Sequence, residues 1–115
     1  MKHYPDITKD LSASLKVLRK EIPDALQGFS TLAQGAKKDG ALDMKTKELV
    51  AMALGIAARC DGCIGFHAEE LVKLGATKAE LSEVLAMAVY MGGGPSLMYA
   101  ADAIKAFDQF SEQDA

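Results

Sequence analysis

The chain has no tryptophan, 6% aromatic residues and two cysteines among its 115 positions, yet half of it is hydrophobic. The apolar content therefore comes from Ala, Leu, Met, Val and Ile, most of which favour helices. No alternating run of β-branched residues is present, so nothing in the pattern asks for a sheet. No stretch reaches the roughly 18 apolar residues of a membrane span. The longest apolar run, Leu49 to Ala58, is too short and contains Gly55. No apolar segment follows the opening Met1-Lys2-His3-Tyr4-Pro5-Asp6, so a secretory signal is not expected and the expected location is cytoplasmic. A basic excess is also missing. Thirteen Lys and Arg against sixteen Asp and Glu give a formal charge of −3 and no basic stripe, which argues against a nucleic-acid partner. The pair Lys37-Lys38 reads as a solvated helix end.

What is present is helical periodicity over a length that suits one domain, 1–115. A first helix is expected from about Asp6 to Glu21, with Leu11, Leu15 and Leu18 on one face. Pro23 suits the first turn of a second helix carrying Leu26, Phe29 and Leu32 and fading near Lys38. Asp43 is placed to cap a third helix, from Met44 to about Arg59. A fourth runs from Gly62 to Leu74 and stops at Gly75. Thr77 and Glu80 form a capping-box pattern for a fifth, ending near Met91. Gly92-Gly93-Gly94-Pro95 is the strongest breaker and reads as a tight turn, since it lacks the lysine and preceding strand of a phosphate loop. A sixth helix follows, about Ser96 to Phe110, with a frayed tail from Ser111 to Ala115. The expectation is an all-α bundle of about six helices, apolar enough to meet other copies of itself. Met87, Met91 and Met98 suit packing or subunit contact. Tyr90 and Tyr99 suit packing as well, and His3 an exposed, idle position.

The chemistry-bearing pattern is Cys60-Asp61-Gly62-Cys63. Two intervening residues let both sulfurs meet in a disulfide. A cysteine in the first helical turn also gains thiolate character from the free backbone N–H groups. His67 follows Cys63 by four residues and shares its helix face, within reach as a proton acceptor. Glu48, twelve residues before Cys60, is the one acid beyond the cap on the third helix. Taken alone it reads as a first-turn acid favourable to the helix dipole. Three readings of these residues stand at this point: a redox pair, a zinc module using Cys60, Cys63 and His67, or two small core residues in an assembly protein.

The run Glu48-x11-Cys60-x2-Cys63-x3-His67, with Gly75 and the Ala/Met-rich helix before the glycine turn, resembles the alkylhydroperoxidase D-like branch of the carboxymuconolactone decarboxylase family. The resemblance covers about Leu42 to Phe110. It implies an all-α, oligomeric fold, as a trimer or hexamer, with no cofactor. It implies a dithiol/disulfide cycle with Cys63 as the attacking thiolate, Cys60 as the resolving thiol, His67 as the relay base and Glu48 as its partner. The implied substrate is a small hydroperoxide or disulfide, reset by a dihydrolipoyl or thioredoxin-like dithiol. Peroxidases of that branch carry a second histidine just before the attacking cysteine, where this chain has Gly62. The decarboxylase branch generally lacks the C-x-x-C pair, so lactone decarboxylation is not expected.

Overall fold

Each helix begins or ends on a chemical signal. In the computed structural model, which describes residues 1–114, the helices are α1 (Tyr4–Glu21), α2 (Pro23–Lys37), α3 (Met44–Ala57), α4 (Asp61–Lys73), α5 (Lys78–Gly92) and α6 (Gly94–Asp114). No strand occurs among the described residues. Asp43 caps α3 by accepting the Thr46 N–H at 2.8 Å. Thr77 and Glu80 form the expected reciprocal capping box, at 3.0 and 2.9 Å. Gly75, at φ +76°, ends α4 in a left-handed cap. There the Gly75 N–H donates to the Val72 carbonyl and the Ala76 N–H to the Leu71 carbonyl. The glycine turn is tighter than expected. Gly93 alone, at φ +73°, separates α5 from α6, so α6 starts at Gly94 rather than Ser96. A Cβ on Gly92 would stand 1.9 Å from the hydroxyl of buried Ser96, so only glycine fits that crossing.

The core gathers around α4, which packs against α1, α3 and α6, while α5 closes the far side against α3 and α6. Met52, Ile56, Ile64, Leu71 and Leu81 are fully enclosed, with Phe107 and Phe110 of α6 beside them. Among the described residues no helix is long and apolar enough to cross a membrane.

The structure adds to the sequence reading at three places. The first concerns α1, which starts at Tyr4 and buries Tyr4, Pro5 and Thr8; Leu15 and Leu18 are exposed and Leu11 is half-buried. Only the first two turns of α1 lie inside the bundle, and from Ser12 onward every residue of the helix is exposed. Second, α2 contacts α1 and α3 alone and buries none of its residues, leaving Phe29 and Leu32 exposed. Burying such a side chain contributes roughly 1.5–3 kcal/mol, which α2 forgoes twice. Third, the tail is not frayed. The last helix continues through Ser111 to Asp114, while Ala115 lies outside the described residues.

A candidate dithiol site at the start of α4

The turn that delivers the cysteines is built by the end of α3. Arg59 takes the left-handed conformation, φ +57°, a position where glycine is usual. The Arg59 N–H donates to the Ile56 carbonyl and the Cys60 N–H to the Gly55 carbonyl, each at 3.0 Å, so two carbonyls in the last turn of α3 are satisfied. Cys60 thus closes α3 and at once caps α4, where its Sγ accepts the Cys63 N–H at 3.1 Å. The two cysteines are joined as a disulfide with their Cα atoms 5.2 Å apart. Gly55 makes room for them: a Cβ there would sit 3.1 Å from the Cys63 Cβ. Because α4 begins at Asp61, its free N–H groups favour charge on Cys60, whereas the helix spacing gives Cys63 the histidine.

His67 lies one turn beyond Cys63 on the same face, which puts their Cβ atoms about 5–6 Å apart. Its Nδ1–H donates to Glu48 Oε2 at 2.5 Å. Glu48 is 1% exposed, so the α3 acid turns inward onto the α4 imidazole. Holding Nδ1 as the donor leaves Nε2 with its lone pair free to take a proton. Lys37, at the end of α2, stands 3.8 Å from the other Glu48 oxygen. It is therefore not the purely solvated helix end expected of Lys37-Lys38. Glu48, His67 and Lys37 share a cleft of about 480 Å³ whose apolar walls are Leu15, Leu26, Phe29, Ala33 and Phe66. Neither cysteine lines it. His67 links the cleft to the face of α4 that bears Cys63.

The opposite side of the cysteine turn is held by the start of the chain, a feature without a sequence signal. Lys2 Nζ bonds to Asp61 at 2.9 Å and to Asp102 at 2.8 Å. The Tyr4 hydroxyl donates to the same Asp61 oxygen at 2.9 Å. Gln109 accepts the Tyr4 N–H at 2.8 Å and donates to the Lys2 carbonyl at 3.2 Å. The Asp102 and Asp61 carboxylates hold Lys2 well above the usual range for lysine. Burial, reinforced by Asp61, does the same for Tyr4, so its hydroxyl stays a donor. His3 is half-exposed, but it contributes the carbonyl that opens α1 and an Nδ1 contact to Asp6 at 2.9 Å.

Two glycines of α4 lie close to α1. A Cβ on Gly62 would come within 2.8 Å of Leu11 Cδ1, and one on Gly65 within 2.6 Å of Thr8 Cγ2. A larger residue at Gly62 would require the end of the half-buried Leu11 side chain to move aside. Among the described residues no three His, Cys, Asp or Glu side chains gather so as to hold a metal ion. Tyr99 packs on the core and under Lys2, whose Nζ is 5.0 Å from the ring centroid. Tyr90 is exposed, as are Met87, Met91 and Met98.

A six-helix bundle with a paired C-x-x-C turn and a buried carboxylate on a neighbouring imidazole defines a class. The family match agrees with it: residues 23–106 match the carboxymuconolactone decarboxylase family, and the chain belongs to that family. A crystal structure of a Legionella pneumophila member is 64% identical, with a TM-score of 0.92 over 94% of this chain and 96% of that one. A Thermotoga maritima member, described with the antioxidative response as its candidate role, is 30% identical with a TM-score of 0.72, covering 78% of this chain and 93% of its own. An uncharacterised protein of Cupriavidus necator is 37% identical over 109 residues, 89% of this chain and 96% of its own length.

Proposed function

We propose that the protein is a dithiol oxidoreductase that reduces a small hydroperoxide at Cys60 and Cys63, with His67 and Glu48 as its proton relay. The observation that carries this reading is the Glu48 carboxylate, enclosed and bonded to His67 Nδ1, one helical turn from Cys63. A carboxylate kept out of water at that place has a natural use in orienting a base.

His67 Nε2 takes the Cys63 thiol proton. The thiolate attacks the terminal peroxide oxygen and the O–O bond breaks, giving a Cys63 sulfenic acid. The proton held on His67 passes to the departing alkoxide, which leaves as the alcohol. Cys60 then attacks the sulfenic sulfur, expelling water and forming the disulfide. Two electrons have moved from the two thiols to the peroxide. An external dithiol of the dihydrolipoyl or thioredoxin-like kind resets the pair by attacking the Cys63 sulfur and becomes a disulfide itself. The leaving sulfur in that step is Cys60, whose charge the N–H groups of α4 favour. Disulfide exchange without peroxide uses the same half-reaction. A cycle that returns to the dithiol suits a reducing compartment, which favours the cytoplasm.

Assembly as a homo-oligomer, trimer or hexamer, belongs to the same proposal. Its support is the apolar surface left open on α2 and a hollow of about 300 Å³ edged by Leu54, Met87 and Met91. Reduced protein treated with one equivalent of hydroperoxide should lose two free thiols per chain, with Cys63→Ser abolishing the reaction. Retention of both thiols under native conditions would sink the peroxidase reading.

A further inference from the structure

Between the two cysteines lies a carboxylate that the proposed chemistry does not use. Asp61 is the first residue of α4, so its charge is fixed next to whichever sulfur becomes a thiolate. Left alone, such a charge opposes thiolate formation. It is not left alone. The Lys2 ammonium and the Tyr4 hydroxyl converge on one of its oxygens, and the same ammonium reaches Asp102 on α6. Tyr4 is fully enclosed, and Gln109 clamps the backbone on both sides of His3. Residues 57 and 59 positions away in sequence are thereby fastened to the cysteine turn.

We infer that Lys2 and Tyr4 are positioning residues for the dithiol, which act through Asp61 by compensating its charge so that a thiolate can form beside it. The inference rests on reading Cys60 and Cys63 as the reacting pair. Apart from Asp61, the charged and titratable groups around the turn are Lys2, Tyr4, Asp102, Arg59 and, on the Cys63 side, His67 with Glu48 bonded to it. Lys2 comes from the chain start, Tyr4 from α1 and Asp102 from α6. Arg59 belongs to the turn itself and is exposed. Of the cations among these, only Lys2 is bonded to Asp61. Removing it leaves Asp61, between the cysteines, without a bonded cation, and Asp102 on α6 likewise. The side chains of Lys2 and Asp61 are each 38% exposed, so solvent screens the effect and it stays moderate.

The test is the rate of iodoacetamide alkylation of the reduced, full-length protein as a function of pH. In Lys2→Met the midpoint of the faster thiol should rise by about half a unit to one unit, which slows alkylation about three- to tenfold on the acid side. Lys2→Arg should restore the wild-type profile. Asp61→Asn should move the midpoint down, and adding Lys2→Met to it should then shift the profile less than half as far. Tyr4→Phe, which removes only the hydroxyl, should move it up by a smaller amount and carries the test if Lys2→Met does not fold. A Lys2→Met or Tyr4→Phe profile that overlays the wild type overturns the inference, and so does an equal Lys2→Met shift in the Asp61→Asn background. Alkylation needs no peroxide. Wild-type thiols that survive peroxide refute the proposed function and leave the Lys2 result standing.

Discussion

Replacing Glu48 by glutamine keeps the shape of the side chain and removes its charge. The amide carbonyl of the Glu48→Gln variant can still accept from His67 Nδ1–H, so the ring is held, but by a neutral bond. Charge-assisted hydrogen bonds contribute roughly 1.5–3 kcal/mol and neutral ones roughly 0.5–1.5. The imidazolium formed when His67 takes the thiol proton therefore loses about 1–1.5 kcal/mol of support, which is about a tenfold slower thiol reaction. Stability responds differently. Glu48 is enclosed, and its desolvation opposes the gain from its partners. Lys37 stands 3.8 Å away and is half in solvent, so losing that pair costs under about 1 kcal/mol. Glu48→Gln should thus leave the denaturation midpoint nearly unchanged while slowing the reaction. Glu48→Ala, which empties the site and orphans Nδ1–H, should cost about 2–3 kcal/mol of stability as well. The assay is single-turnover loss of free thiol in reduced protein mixed with hydroperoxide, quenched by acid, beside urea denaturation of each variant. A Glu48→Gln rate within twofold of wild type, with the fold intact, refutes the relay.

Two other outcomes follow from the helix ends. Arg59→Gly removes a side chain from a left-handed position and should stabilise the protein by about 0.5–1 kcal/mol in urea denaturation, because the strain removed there exceeds the chain entropy that glycine adds. Lys45, 2.8 Å away, and the Thr77 N–H pull the Glu80 carboxyl below its ordinary value of 4.5, so its contribution is present above that value and is lost as pH falls through the lower folded value. Glu80→Gln should therefore flatten the acid limb of a stability-against-pH curve below pH 4.5 and leave the neutral region little changed in slope.

The helix ends were readable because each depends on neighbours in sequence. Asp43, the Thr77–Glu80 box and Gly75 act within one turn, and all three do what their residue types dictate. The C-x-x-C turn and His67 were readable for the same reason. Glu48 was readable only through resemblance to a family, since a lone acid on one helix, here the fifth residue of α3, carries no mark that it will face another helix. The α1 stripe left its own burial open. Leu11, Leu15 and Leu18 have the spacing of a core face, but periodicity records amphipathicity and not which side the bundle takes. The face is left open because α1 outruns the bundle after its second turn. The clamp from Lys2 and Tyr4 had no local signature at all, because its partners lie 57 to 107 positions away.

The helix α2 buries nothing, yet it supplies Phe29, Ala33 and Lys37 to the cleft that contains Glu48 and His67. The residues that hold the bundle and those that shape access to the relay are therefore separate sets. Substitutions along α2 can change the width, greasiness and charge of the approach while the packing around α4 is untouched. Selection can thus vary what the cleft admits without disturbing the core around α4.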